Sequence, residues 1–221
     1  IKIDNTRGDG ADVILYNRAD GNRVAIAKKI IAETGATLVP PYNAPEIMVG
    51  QGTLGLELFQ QTKDRSVCLD YLLGPCSGGG MISGSAIVFN DRSHSTKIYT
   101  VEPVGYDDTA LSLAKGERVK IEPGTPSFCD ALLLETPGET TFAVNKELLA
   151  GGLVVSQAET AVAMKTAFRE YKIIVEPSGA VALAAALSGK INTQDKTVGI
   201  ICTGGNVDAT TFKDVLNGEY D

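Results

Sequence analysis

Short apolar runs of strand type alternate along this chain with longer stretches whose apolar residues recur at helical spacing, and turn residues mark most of the changes. Residues 1–7 read as the middle of a helical segment. Val13-Ile14-Leu15-Tyr16 follows as a short strand, and residues 22–33 place Ala25, Ile26, Lys29 and Ile30 on helical spacing before Gly35. Thr37-Leu38-Val39 is the next strand, ended by Pro40-Pro41. The pattern then predicts a helix over 44–61, a strand over 68–73, a helix opening near Met81, a strand over 97–101, a helix over 108–114 and a strand over 153–155. Ser156-Gln157-Ala158-Glu159 has the form of a capping box and starts a helix reaching about Arg169. A helix over 177–187, a strand over 198–202 and a helix after Gly204-Gly205-Asn206 complete the series. No hairpin signal joins two alternating runs, so the expected fold class is α/β, a mostly parallel open sheet with helices on both faces. The proline segment 40–45 is the best candidate for a domain crossing, with 1–43 in a smaller unit and 44–221 in a larger one.

Composition narrows the function classes. Of the 221 residues 43% are hydrophobic and 21% charged, which suits an ordinary globular core. The formal net charge of -7, with scattered Lys and Arg, argues against a nucleic-acid partner and leaves small molecules as the expected ones. The longest apolar stretch, 181–187, is far shorter than the roughly 20 residues that span a bilayer, so no membrane partner is expected, and the start is not signal-like. Cys68, Cys76, Cys129 and Cys202 have no C-x-x-C spacing and at least two lie in apolar runs of buried-strand type, so small buried hydrophobes are favoured over disulfides or zinc ligands, which points to a reducing cytoplasm. The single histidine, His94, lies in a polar, loop-like run, which disfavours a Ser-His-Asp triad or a His-rich metal site.

Two glycine turns carry the candidate chemistry. Ser77-Gly78-Gly79-Gly80-Met81 follows a buried-type strand and opens a helix. Consecutive glycines let backbone N–H groups converge, and a helix N-terminus adds partial positive charge, so a phosphate is the natural occupant. The alternative is a plain tight turn that packs helix on strand. The turn lacks the dinucleotide setting of G-x-G-x-x-G, and no G-K-[ST] follows, so a nucleotide triphosphate is disfavoured. Cys202-Thr203-Gly204-Gly205-Asn206 occupies the same strand-to-helix position. In an open α/β sheet both turns can face one crevice at the carboxyl ends of the strands.

With Glu176-Pro177-Ser178-Gly179 and Gly50-Gln51-Gly52-Thr53, these segments resemble the serine/threonine dehydratase and serine racemase family of fold-type II pyridoxal-phosphate enzymes, in the family's order over nearly the whole chain. The resemblance implies a tryptophan synthase β-like fold in which 1–43 is a remnant of the smaller second domain. It implies that Ser77, Gly78, Gly79, Gly80 and Met81 hold the phosphate of pyridoxal 5'-phosphate, with Ser77 in place of the commoner leading glycine. It implies that Thr203 bonds the ring nitrogen, where the family usually has Ser or Cys. A neutral hydroxyl there leaves the nitrogen largely unprotonated, which suits elimination at the β carbon. Glu176 is expected near the ring; the alternative is an acidic residue that serves only the N-terminus of its helix. Ala131, in Phe128-Cys129-Asp130-Ala131, stands where a glycine is usual in a segment passing the ring face. Glu102, Asp108 and the carbonyl of Tyr106 match the family's loop for Mg²⁺ or Ca²⁺, an all-oxygen set that suits hard cations. The alternative for that loop is a solvated acidic turn in which Asp107 or Asp108 caps the next helix.

The family's cofactor-binding lysine lies in a Ser-x-Lys-x-Arg-Gly-like segment, followed by a Ser-Gly-Asn-His segment for the substrate carboxylate. Neither motif occurs here, Lys28, Lys29, Lys97 and Lys115 have other contexts, and no catalytic residue is assigned. The start at Ile1, mid-helix and without Met, fits an N-terminally truncated chain. The resemblance implies an ammonia-lyase acting on threonine, serine or a related 3-hydroxy amino acid, as a homodimer. The alternatives are a racemase of the same family and a non-catalytic remnant that binds a phosphate ligand.

Overall fold

The computed structural model describes residues 1–17, 23–122 and 126–220. The chain divides into two units, Ile1–Pro40 and Pro41–Asp221, so the division falls inside the proline segment. Tyr42 and Asn43, assigned to the smaller unit from sequence, go with the second unit, where they pack against its glycine turn and a helix described below.

The first unit holds helices α1 (Lys2–Gly8) and α2 (Arg23–Thr34), neither of which has a buried residue. Asn22, expected to open α2, lies outside the described residues. The two strands expected in this unit do not form. Residues 13–16 and 37–39 are unpaired, with Leu15 63% and Val39 72% exposed. An apolar run becomes a strand only when a neighbour completes its ladder, and among the described residues the sheet is built from the second unit alone.

That sheet contains β1 (Tyr71–Pro75), β2 (Lys97–Pro103), β3 (Gly151–Val155) and β4 (Val198–Ile200), in the order β3-β2-β1-β4 with every pairing parallel. Period-two alternation sends neighbouring side chains to opposite faces. Leu72 and Ile98 pack under Phe59 of α3 (Pro45–Asp64) and Ile82 and Phe89 of α4 (Gly80–Arg92). Leu73, Val101 and Val155 point the other way, onto α7 (Gln157–Thr166), α8 (Pro177–Leu187) and α9 (Ala209–Asn217). Helices α5 (Asp108–Lys115) and α6 (Glu139–Leu148) lie between β2 and β3 in sequence. The expected parallel α/β sheet flanked by helices is the observed architecture.

Several details differ from expectation. Because β1 begins only at Tyr71 and β4 ends at Ile200, Cys68 and Cys202 lie outside the strands and are exposed, whereas Cys76 and Cys129 are buried; all four are free thiols. The helix expected to reach Arg169 widens into a π turn at Ala167–Tyr171. The capping box does form. Ser156 Oγ accepts from the Glu159 N–H at 3.2 Å while Glu159 Oε2 accepts from the Ser156 N–H at 2.7 Å. Ser156→Ala should therefore lower the unfolding free energy by about 1 kcal/mol in urea titrations. An unchanged midpoint would mean that packing alone sets the start of α7.

Candidate functional site

The strand order places the two glycine turns side by side. From β1 the chain moves outward to β2 and β3, then returns to add β4 on the other side of β1, so the order reverses between β1 and β4. In an open parallel sheet the loops leaving the carboxyl ends of the strands diverge at such a point and leave a crevice. The turn 77–81 leaves β1, and the turn 202–206 follows β4, whose ladder with β1 continues as the Ile201 N–H donates to the Leu73 carbonyl at 2.9 Å.

The first turn has a geometry that suits an anion. Gly79 adopts φ +86, the left-handed region that favours glycine, and Gly80 is the first residue of α4. Among the described residues, no backbone or side-chain acceptor takes the N–H groups of Ser77, Gly78, Gly79, Gly80 or Met81. Buried amides without acceptors are costly, and at the positive end of a helix they make a site for phosphate. The surroundings leave no room for side chains on the loop. A Cβ on Gly78 would overlap the Tyr42 ring, and one on Gly79 would lie 2.8 Å from Asn145 Nδ2. These features fit the phosphate of a cofactor.

The second turn nests against the start of α8. The Glu176 N–H donates to the Gly204 carbonyl at 2.7 Å, and a Cβ on Gly204 would collide with Glu176 Oε1. Thr203 is exposed at the head of this turn. The Ala131 N–H donates to Ser178 Oγ at 3.0 Å. The start of α8 therefore brings together Ala131, Glu176 and the turn carrying Thr203.

At the carboxyl end of β2, Glu102 is fully buried. Its Oε1 accepts from the Thr109 N–H at 3.1 Å and its Oε2 from the Ala110 N–H at 2.7 Å. The cap of α5 is thus a carboxylate from the neighbouring strand, while Asp107 folds back to accept from the Gly105 N–H at 3.2 Å. Burial, with Asp108 beside it, raises the Glu102 carboxyl well above the usual carboxylate range. Asp108 is 1% exposed and neither of its carboxylate oxygens has a hydrogen-bond partner. Burial, and then the Asp107 charge, push it up to about 7. Tyr106 is half-buried in the turn between them. Among the described residues no three His, Cys, Asp or Glu side chains converge on a metal-sized point. A cation here would rest on two carboxylates and backbone oxygen.

Sequence reasoning missed Tyr42, Ser83, Thr141 and Asn145, all of which touch the glycine turn. Gly138 and Glu139 at the start of α6 were the available signal: a turn residue before an acidic first turn.

Comparison with known proteins agrees with this geometry. Residues 1–204 match the family described as pyridoxal-phosphate dependent enzyme. The chain belongs to that family, in its fold-type II branch of ammonia-lyases and racemases. It is 36% identical over 219 residues to a serine racemase of Dictyostelium discoideum, covering 98% of this chain and 66% of the relative. It is also 36% identical over 222 residues to an L-threo-3-hydroxyaspartate ammonia-lyase of Saccharomyces cerevisiae, covering 100% and 66%. The structure of maize serine racemase superposes with a TM-score of 0.87 at 35% identity, covering 99% of this chain and 66% of that one. The chain thus spans slightly less than two thirds of the length of these relatives. Among the described residues no helix is long and apolar enough to cross a membrane.

Proposed function

We propose that the protein containing this chain is a pyridoxal-phosphate-dependent ammonia-lyase that converts threonine, serine or a related 3-hydroxy amino acid to a 2-oxo acid and ammonia. The observation that carries this reading is the set of unclaimed N–H groups over 77–81, at the point where the strand order reverses. Pyridoxal phosphate, when bound, supplies an electron-withdrawing ring that acidifies the α C–H of an amino acid. The backbone of Ser77, Gly78, Gly79, Gly80 and Met81 holds its phosphate. Thr203 offers the ring nitrogen a neutral hydroxyl and delivers no full charge there. Glu176 and Ala131 shape the flank of the site through their bonds to Gly204 and Ser178. The cofactor-binding lysine comes, on this reading, from residues outside this chain.

Glu102, Asp108 and the Tyr106 carbonyl are proposed to hold Mg²⁺ or Ca²⁺. The two unpartnered oxygens of buried Asp108 support this, because a hard cation would satisfy them. A cytoplasmic homodimer is the assembly proposed with this activity, on family analogy.

Racemisation is the second reading, favoured by the serine racemase relatives. An assay of the full gene product with L-threonine, L-serine and 3-hydroxyaspartate separates the two. Release of 2-oxo acid and ammonia is the expected result. D-amino acid without 2-oxo acid would replace the lyase by the racemase, and neither product despite bound cofactor would leave a binding protein.

A further inference from the structure

We infer that Ser83, Thr141 and Asn145 are positioning residues for the phosphate cradle: a buried hydrogen-bond chain that aims the Gly79 and Gly80 N–H groups into it. The inference rests on the reading of 77–81 as the phosphate site. A trans peptide is planar, so the N–H of each residue points opposite to the carbonyl before it. Whatever grips a carbonyl from behind therefore sets the direction of the next N–H in front. Thr141 Oγ1 donates to the Gly78 carbonyl at 2.6 Å, and this fixes the Gly79 N–H. Ser83 holds the Gly79 carbonyl twice, through Oγ at 2.6 Å and through its backbone N–H at 2.9 Å, and together these fix the Gly80 N–H. Two successive peptide units of the glycine loop are held from α6 and from the first turn of α4.

Asn145 completes the chain. Ser83 Oγ lies 2.6 Å from the Gly79 carbonyl, 3.3 Å from the Thr141 carbonyl and 2.8 Å from Asn145 Oδ1, yet a hydroxyl has one proton to donate. At the same time Asn145 Nδ2 is buried with no acceptor. Exchanging the amide oxygen and nitrogen of Asn145, which have nearly the same shape, resolves the first conflict and leaves an amide oxygen in place of the unpaired N–H. The amide N–H then donates to Ser83 Oγ, and the Ser83 proton is free for the Gly79 carbonyl. Each donor in such a series polarises the next. All three side chains are essentially buried, Ser83 and Thr141 at 0% and Asn145 at 1% exposure. Apolar residues of the same shape would pack α4 on α6 as well, but they would leave the buried Gly78 carbonyl without its side-chain donor. What a packing role leaves unexplained is that the hydroxyls of Thr141 and Ser83 meet consecutive carbonyls of this loop.

The test compares pyridoxal phosphate with pyridoxal, which lacks the phosphate, by calorimetry on the chain and on Thr141→Val, Ser83→Ala and Asn145→Leu, with the ³¹P resonance of the bound cofactor as second readout. Loss of the Thr141 hydroxyl should weaken pyridoxal phosphate about tenfold, and Ser83→Ala and Asn145→Leu should weaken it less, because the Ser83 backbone N–H keeps its hold on the Gly79 carbonyl. Pyridoxal binding should change by less than about twofold, the ³¹P line should move, and Thr141→Ser, which keeps the hydroxyl, should restore wild-type behaviour. Thermal melts identify any variant that does not fold, and the remaining variants then decide. If the wild type prefers the phosphorylated form and the folded variants keep that preference with an unmoved ³¹P line, the three residues only pack two helices and the inference fails. If the wild type shows no preference, the phosphate reading itself fails.

Discussion

Gly84→Ala should lower the unfolding free energy by about 3 kcal/mol, which would make it one of the most damaging single-methyl additions in the second unit. Helices α3 and α4 cross with their backbones almost in contact. A Cβ on Gly84 would overlap the Met48 carbonyl oxygen and lie 2.6 Å from the Gly52 nitrogen. Both are main-chain atoms, so no side chain can swing aside, and the helices must separate. Gly55 repeats the closeness one turn along, where an added Cβ would lie 2.9 Å from Ser85 Cα. Alanine is the better helix former by about 1 kcal/mol, which offsets part of the cost. Separation would also pull α4 away from the glycine turn it opens. The control is Gly50→Ala, since a Cβ there meets nothing within 4 Å. Urea midpoints should fall sharply for Gly84→Ala and stay level or rise for Gly50→Ala. Equal midpoints would contradict the close crossing.

Asp108 should make stability fall as pH rises when divalent cations are chelated. Its carboxyl is pushed from the ordinary 3.8 up to about 7, so the folded chain retains a proton that the unfolded chain has released across that interval. The contribution is complete below about pH 4 and is lost as pH rises through about 7. Its upper limit is about 4 kcal/mol, since each unit of pKa is worth about 1.4 kcal/mol. Glu102 is shifted in the same direction and adds to the trend. Asp108→Asn should flatten the profile and stabilise the cation-free chain above pH 7. Added Ca²⁺ or Mg²⁺ should stabilise the wild type at pH 8 and leave Asp108→Asn nearly unaffected. Urea unfolding at pH 5 to 8, with and without chelator, measures all of these. A cation effect of equal size in both proteins would place the ion elsewhere.

The elements legible in the sequence were those whose signals are local. The glycine turns were readable because a left-handed residue or a crowded loop demands glycine at that position, whatever the rest of the fold does. The capping box at Ser156 and the proline-initiated helix at Pro177 are likewise written in adjacent residues. Beyond its Gly138-Glu139 start, helix α6 was not readable. Its buried residues are Thr141, Phe142 and Asn145, so two of the three that face inward are polar and no apolar stripe marks the helix. The same two polar residues are the ones that grip the glycine loop, and their role depends on a tertiary contact that spacing cannot encode. The false strands at 13–16 and 37–39 have the opposite cause. Their apolar runs are real, but strand identity comes from a pairing neighbour, and the described sheet lies wholly in the other unit. Cys68 and Cys202 were misjudged because strand ends, unlike strand centres, leave little trace in an apolar run.

On the proposed reading, the backbone of 77–81 receives the phosphate of the cofactor. The most direct test is a ¹⁵N–¹H correlation spectrum of the labelled chain titrated with pyridoxal phosphate and, separately, with pyridoxal. The amides of Ser77, Gly78, Gly79, Gly80 and Met81 should show the largest shifts, moving downfield as their N–H groups gain an acceptor, and pyridoxal should leave them nearly in place. Equal shifts with both compounds, or the largest shifts at residues remote from this turn, would contradict that reading.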